Sequence, residues 1–195
     1  LYLSPIVKSQ SNHRYDAGDY KTVDPYAGTN EMLAELCEKA HKNGMKVILD
    51  GVFNHCGSFN KWLDREEIYA VCGDYESGAF ISKDSGYRDF FQFQDENAWP
   101  YNTTYEGWWG HDTLPKLNYE ESPKLFDYIM HIARKWVSPP YNVDGWRLDV
   151  AADLGQSNEY NHYFWKEFRR NVKEANPNAI VLAEHYGDPT DWLRG

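Results

Sequence analysis

Long hydrophobic runs are absent from this sequence of 195 residues, and no stretch approaches the length that crosses a membrane. Basic residues are also scarce, since 20 Lys and Arg oppose 30 Asp and Glu and leave a net charge of -10. Such a balance disfavours a phosphate backbone or an anionic lipid surface as partner. We therefore expect no nucleic acid and no membrane partner, and a neutral or cationic ligand instead.

Paired cysteines and metal-binding patterns are missing as well. Cys37, Cys56 and Cys72 are odd in number and lie at unrelated spacings without a CxxC pair, so we interpret them as unpaired small apolar residues. Neither HxH nor HExxH occurs, which disfavours metal-dependent hydrolysis. A secretory signal pattern is absent, but the chain begins at Leu1 without a Met. We therefore expect the chain to be a fragment, so the missing signal does not decide the cellular compartment, and the cytoplasm is favoured.

Aromatic residues are abundant, because Trp, Tyr and Phe make up 16% of the chain. Flat rings with polar edges suit ligands that present both CH faces and hydroxyls, although an aromatic core gives the same composition. With 42% hydrophobic and 26% charged residues, the chain has the composition of a soluble globular domain.

Strand and helix patterns alternate in the first quarter of the chain. Residues 1–6 form a short apolar run typical of a buried strand, and residues 9–25 follow as a polar loop. Residues 29–43 have apolar positions at helical spacing, and residues 45–52 form a second apolar strand. Strand, helix and strand in this order predict a βαβ unit with parallel pairing.

The alternation resumes after a long interruption. Residues 57–119 are rich in glycine and aromatic residues but show no sustained period, so we predict an inserted subdomain there. Ser122 can cap the helix that follows, and residues 143–150 form the next strand. A helix over residues 160–175 and a buried strand over residues 179–183 complete the pattern.

Carboxylates lie at the ends of three predicted strands. Asp50, Asp149 and Glu184 converge at one mouth if neighbouring parallel strands curve as in a barrel. Arg147 lies two residues before Asp149 and shares its face of the sheet, either as a core ion pair or to meet a ligand. Convergent carboxylates repel, so one should hold a proton while another stays ionised, braced by Arg147. A proton donor beside a carboxylate nucleophile suits cleavage of a glycosidic bond, with metal-dependent hydrolysis as the competing chemistry.

Four separated motifs resemble those of the α-amylase family, glycoside hydrolase family 13. They are DGVFNH (50–55), LPKLN (114–118), GWRLDVA (145–151) and LAEH (182–185), and HRYDAGDY (13–20) is similar to that family's loop after the second barrel strand. The residues of LPKLN and WRLDVA are most similar to the corresponding motifs in the branch of neopullulanases, cyclomaltodextrinases and maltogenic amylases.

This resemblance implies a partial (β/α)8 TIM barrel, with about strands 2 to 5 of the eight and an inserted subdomain after the third strand. The implied division is 1–56 for the first barrel part, 57–119 for the inserted subdomain and 120–195 for the second barrel part. The family's third essential carboxylate, near the seventh strand, has no counterpart in the chain. We therefore expect a piece of a longer enzyme that is inactive alone.

The resemblance also implies roles for individual residues. Asp149 is similar to the catalytic nucleophile, Glu184 to the general acid/base, and Arg147 to the arginine that braces the nucleophile. The implied substrate contacts are Arg147, His55, Tyr15, His13 and His185, and the implied structural supports are Asp50 and Asn54.

The implied activity is retaining hydrolysis of α-glucans such as starch, maltodextrin, cyclodextrin or pullulan. Glycosyl transfer by the same machinery and a non-catalytic barrel used for binding are the alternatives. Ala152 and Asp153 replace a Lys-His pair common in large secreted α-amylases, so we predict neither a metal nor any other cofactor, with Asn54 as the remaining calcium candidate. The oligomeric state stays open.

Overall fold

The computed structural model describes residues 1–73 and 75–193, apart from the side chain of Val71. In these residues, three helices alternate with the strands of a parallel sheet, and a small antiparallel pair accompanies them. The elements are β1 Tyr2–Leu3, β2 Val7–Lys8, β3 Asp19–Val23, α1 Asn30–Lys42, β4 Ile48–Gly51, α2 Pro123–Val137, β5 Gly145–Leu148, α3 Asn158–Ala175 and β6 Ile180–Ala183.

The main sheet has the order β1-β4-β5-β6, and all of its pairs are parallel. Each connection carries a helix or the long insert, as expected for βαβ units. The sheet is a partial barrel that stays open at β1 and β6 in the described residues. The predicted α/β class and partial barrel are therefore confirmed.

The prediction that the last strand is buried is wrong. Leu182 of β6 is 54% exposed, and Ile180 is exposed as well. The reason is topological, because within the described residues β6 pairs with β5 alone and lies at an edge of the sheet. Tyr2 in the opposite edge strand is exposed too, so the predicted burial of the first strand also fails.

The predicted polar loop at 9–25 contains a strand. Within it, β3 pairs in antiparallel fashion with β2, with Val23 opposite Val7. Tyr20 and Val23 of β3 are buried in the core. The prediction failed because the short strand lies among polar residues, and tertiary burial of two side chains outweighed the local composition.

The three predicted helices form, with ends set by capping side chains. Thr29 Oγ1 accepts a hydrogen bond from Met32 N, and Ser122 Oγ accepts one from Leu125 N, so the expected caps of α1 and α2 are present. The helix α3 begins two residues before the predicted start, because Ser157 Oγ accepts from Tyr160 N and caps it there. Helices α2 and α3 pack on each other over one side of the sheet.

The segment over residues 57–119 contains only 3-10 turns and isolated bridges in its described residues. Most of its aromatic side chains fill its interior, as Phe59, Trp62 and Phe91 do. A bridge from His55 to Lys116 fixes the segment beside the end of β4, and a second bridge, from Gly107 to Pro115, lies within the segment. The exact division into 1–56, 57–119 and 120–195 stays a prediction.

Candidate active site

The parallel register brings polar residues of three strands to one edge of the sheet. Asp50 of β4 lies opposite Arg147 of β5. The ladder continues past the strand ends, since Asp149 N donates to Gly51 O at 3.0 Å and Glu184 N donates to Leu148 O at 2.9 Å. The three carboxylates predicted to converge therefore lie side by side.

Arg147 connects all three carboxylates. Its Nη1 lies 2.8 Å from Asp149 Oδ1 and 3.0 Å from Asp50 Oδ1, and its Nη2 lies 2.8 Å from Glu184 Oε2. Burial alone would lower the pKa of this guanidinium, but the neighbouring Asp50 and Asp149 carboxylates raise it. Arg147 is thus a fixed cation that holds an acidic cluster together.

The side chains of the acid pair remain accessible from solvent. Asp149 exposes 10% of its side chain and Glu184 exposes 21%, and both carboxyls contact the Arg147 guanidinium. Neither is sealed in the core, so a ligand that reaches the strand ends can meet both.

The pKa values of the pair are displaced in opposite directions. Burial raises the pKa of Asp149 to about 7, assisted by the charges of Asp50 and Glu184 and opposed by Arg147. Burial also acts to raise the pKa of Glu184, but hydrogen bonds from Tyr186 and Val150 and the charge of Arg147 prevail and lower it. Burial and the neighbouring carboxylates thus raise the pKa of Asp149, whereas the predicted roles need the raised pKa on Glu184.

Glu184 accepts hydrogen bonds from one backbone donor and one side-chain donor that the sequence did not predict. Val150 N donates to Glu184 Oε2 at 2.9 Å, and Tyr186 Oη donates to Glu184 Oε1 at 2.6 Å. Val150 adopts a left-handed conformation with φ of 39°, which is strained for a β-branched residue. Tyr186 lies two residues after Glu184, a spacing that could have suggested contact on one face, but nothing in the sequence signals the conformation of Val150.

Tyr2 is a third residue that the sequence did not reveal. Its hydroxyl donates to Asp50 Oδ2, so this carboxylate is held by Tyr2 from one side and by Arg147 from the other. The side chain of Asp50 is completely buried. This agrees with the predicted supporting role of Asp50, which itself stays a prediction.

Tyr15 and His13 lie on the loop between β2 and β3. The ring of Tyr15 has its centroid 6.0 Å from the guanidinium carbon of Arg147, so the loop approaches the acidic cluster. His13 stacks on Tyr15 at 6.2 Å and accepts a hydrogen bond from Tyr15 N at 3.1 Å. Tyr15 therefore borders the site directly, and His13 lies beside it through its contacts with Tyr15.

His55 and Asn54 are buried behind this border. His55 Nε2 lies 3.1 Å from the carbonyl oxygen of Tyr15, which can only accept, so Nε2 carries the proton and Nδ1 accepts from Asn54 Nδ2 at 3.1 Å. Burial lowers the pKa of His55 to about 4, so the ring is neutral near pH 7. A direct contact of His55 with a sugar requires that Nε2 leave the Tyr15 carbonyl.

His185 is not part of the cluster in this arrangement. Its ring packs 4.6 Å from Trp192, and its Nε2 lies 3.2 Å from the carbonyl oxygen of Asp188. The predicted substrate contact of His185 stays a prediction.

The calcium candidate Asn54 has a buried Oδ1 that finds no hydrogen-bond partner in the described part of the chain. A cation site needs several oxygen ligands, and calcium takes six to eight. Among residues 1–73 and 75–193 no three or more His, Cys, Asp and Glu side chains group so that they could hold a metal. Asp153 Oδ2 instead accepts from Trp108 Nε1 at 2.8 Å. The prediction that the chain binds no calcium stays a prediction.

The fold and the site together define a class of protein. An arginine-bridged acid pair lies at the carboxyl ends of adjacent parallel strands in a partial barrel, which is where barrel enzymes carry their catalytic groups. The model of the alpha amylase catalytic domain matches residues 1–194. The chain belongs to the alpha-amylase family, and the resemblance expected from its motifs is confirmed.

Known relatives and solved structures support this assignment. The chain is 39% identical to a cyclomaltodextrinase of Thermoanaerobacter pseudethanolicus, over 100% of this chain and 31% of that protein. It is 36% identical to an intracellular maltogenic amylase of Bacillus subtilis, over 100% of this chain and 29% of that protein. The crystal structure of Ttha1563 from Thermus thermophilus superposes with a TM-score of 0.82 at 38% identity, over 100% of this chain and 37% of that chain. The chain thus spans about a third of the length of the curated relatives it matches.

Proposed function

We propose that the protein carrying this chain hydrolyses α-glucans with retention of configuration at the anomeric carbon. The observation that carries the proposal is the joint contact of Arg147 with Asp149 and Glu184 at an accessible strand edge. Two carboxyl groups on adjacent strands are the equipment of a retaining glycosidase. The names of the cyclomaltodextrinase and maltogenic amylase relatives support α-glucans as the substrate class.

The proposed reaction has two steps. Asp149 attacks the anomeric carbon while Glu184 gives its proton to the departing glycosidic oxygen, which leaves a sugar esterified to Asp149. Glu184 then removes a proton from water, the water oxygen attacks the anomeric carbon, and Asp149 is released as a carboxylate. If a sugar hydroxyl replaces the water, the same groups transfer the glycosyl unit.

Substrate binding must rearrange the acid pair before the first step. Retaining glycosidases place two carboxyls roughly 5 to 5.5 Å apart, and here Arg147 contacts both Asp149 and Glu184 at 2.8 Å. A glycosidic oxygen that displaces Arg147 from Glu184 removes the cation that favours ionised Glu184. The pKa of Glu184 then rises while Arg147 remains with Asp149, so that Glu184 holds the proton that it must donate.

The border of the site gives the remaining proposed roles. The ring of Tyr15 offers a flat face beside Arg147 on which a glucose ring can stack, with His13 behind it. His55, fixed as a neutral donor, and His185 are proposed to bind sugar hydroxyls once substrate displaces their present carbonyl partners.

The compartment is proposed to be the cytoplasm. The name of the relative from Bacillus subtilis supports this, because that protein is called intracellular. In the described residues, none of the helices combines the length and apolarity needed to cross a bilayer. Fractionation of the native organism with an antibody to this protein tests the proposal.

Amide substitution of the acid pair tests the reaction. The protein is produced with any flanking sequence its gene encodes, and Asp149→Asn and Glu184→Gln are assayed on maltodextrin and cyclodextrin. Each should lower kcat by roughly 10⁴-fold, as loss of a catalytic group does in other hydrolases. Asp144→Asn is the matched control, because this carboxylate precedes the same strand and pairs with Lys46 and His41 at the other end of the sheet. Equal activity in all three variants would refute the assignment.

Azide separates the roles of the two acids. In Glu184→Ala supplied with α-maltosyl fluoride, whose fluoride departs without a proton, azide attacks the sugar held on Asp149 without needing a base, so an α-glycosyl azide should form. In Asp149→Ala, azide replaces the missing nucleophile and a β-glycosyl azide should form. If Glu184→Ala gave the β-glycosyl azide and Asp149→Ala the α-glycosyl azide, the nucleophile would be Glu184 and the general acid/base Asp149.

A further inference from the structure

Trp109 occupies a position that folding does not explain. Its side chain is 75% exposed, so burial contributes little to placing an indole there. Its backbone has φ of 50° and ψ of 29°, a left-handed conformation that residues other than glycine rarely adopt. The next residue, Gly110, is also left-handed with φ of 80°, without the steric cost. A strained, exposed tryptophan points to a role in binding.

The indole of Trp109 continues a stack of rings that starts inside the protein. Trp108 lies 5.1 Å from Trp109 at an interplanar angle of 27°, and 5.1 Å from His55 at 19°. Trp108 is fixed in place, because its Nε1 donates to Asp153 Oδ2 at 2.8 Å in the turn that follows Asp149. Trp109 is therefore the exposed outer ring of a stack whose inner rings are held in place.

This stack is connected to the acidic cluster. His55 donates to the carbonyl of Tyr15, and the ring of Tyr15 lies beside Arg147. A chain of contacts thus runs from the ring of Tyr15 through buried His55 and then Trp108 to the exposed Trp109. An indole face suits the CH face of a pyranose ring, and a neutral sugar is not repelled by the acidic protein.

We propose that Trp109 is an outer sugar-binding platform, on which a glucose unit distant from the cleaved bond stacks. The inference rests on the proposed α-glucan hydrolysis and deepens it, because it assigns chain-length preference to one residue. Long maltodextrins reach the platform, whereas short substrates end before it.

The test compares substrates of two lengths in the protein as its gene encodes it. Trp109→Asn removes the ring and keeps a residue that tolerates the left-handed region, so the thermal midpoint should not fall. Tyr101→Asn is the matched control, because Tyr101 is an aromatic residue of the same insert with φ of 65° and 50% exposure, and its ring packs on Phe80. Trp109→Phe restores an aromatic face.

The readout is the ratio of kcat/KM for maltoheptaose to kcat/KM for maltotriose. Trp109→Asn should lower this ratio about tenfold, mainly through the KM of maltoheptaose, and Trp109→Phe should recover part of it. Tyr101→Asn should change the ratio less than twofold. An unchanged ratio in Trp109→Asn, or an equal fall in Tyr101→Asn, overturns the proposal.

Binding measured by fluorescence separates this inference from the proposed reaction. Maltoheptaose should change the tryptophan emission of the Asp149→Asn variant, and Trp109→Asn in that background should weaken the affinity about tenfold. A protein that binds maltoheptaose through Trp109 but cleaves no glucan would refute the hydrolase proposal alone. Equal affinity with and without the indole would refute the platform alone.

Discussion

Replacement of Arg147 by leucine should make the stability of this protein depend strongly on pH. The guanidinium lies between 2.8 and 3.0 Å from oxygens of three different carboxylates. Leucine keeps part of the apolar packing but removes the cation that contacts all three. The acid cluster then has to be buried without this counter-charge.

The magnitude follows from what each carboxylate retains. Asp50 keeps the hydroxyl of Tyr2, and Asp149 loses its salt bridge. Glu184 still accepts from Val150 N and Tyr186 Oη. Breaking a buried ion pair by removing one partner costs about 3–5 kcal/mol, and we expect this loss near pH 8.

The sign of the pH dependence follows from the direction in which the carboxyl pKa values move. Burial already raises the folded-state pKa of Asp149 above the unfolded value of about 3.9, and without Arg147 nothing opposes this rise as strongly. A group with a raised folded pKa contributes its full stability below the unfolded pKa and loses it as pH rises through the folded pKa. The deficit of the variant should therefore be near 1 kcal/mol at pH 4 and grow toward pH 8.

Urea unfolding at pH 4, 6 and 8 measures this deficit for the protein as its gene encodes it. Arg134→Leu is the control, since Arg134 is half-exposed and pairs with Glu174 on the surface. Such a pair contributes about 0–1 kcal/mol, with little change over this pH range. A deficit for Arg147→Leu that is constant with pH, or no larger than that of Arg134→Leu, would refute the account of the cluster.

Three further predictions concern activity, backbone geometry and metal. A plot of kcat/KM against pH should be bell-shaped, because the reaction needs one proton on the acid pair. Activity should fall as pH rises through about 7, the pKa to which burial raises Asp149. Activity should also fall as pH drops through the lowered pKa of Glu184. An alkaline limb above pH 9 would contradict this. Gly145→Ala should lower the free energy of unfolding by about 1–3 kcal/mol, because φ is 152° and a Cβ would overlap the carbonyl oxygen of the first residue of β6. Gly44→Ala is the control and should cost about 1 kcal/mol, because its φ is 72° but a Cβ would meet open space. Equal unfolding midpoints for the two variants would argue against the close approach of β5 and β6. Dialysis against EDTA should leave kcat/KM within about twofold of the untreated value, since Asn54 supplies one neutral oxygen and calcium needs several. A loss of activity that added calcium restores would show a calcium site.

Local patterns were sufficient for most helices and for the order of the elements. The caps Thr29 and Ser122 and the apolar spacing behind them predict α1 and α2 within a residue, because capping and amphipathicity are local properties. The strand β3 was missed and β6 was wrongly predicted as buried. Strand pairing and burial depend on distant partners, so a short window cannot reveal them.

By itself, the sequence determined the family, the parallel alternation of strands and helices, and the identity of the acids that end those strands. These follow from residue types and their spacing along one chain. Only the tertiary structure decided that Arg147 bridges three carboxylates, that Tyr2, Val150 and Tyr186 donate to two of them, and that Trp109 lies strained at the end of a ring stack. The physical reason is that hydrogen bonds and proton affinities depend on the distances between atoms of different strands, which the spacing along the chain does not specify.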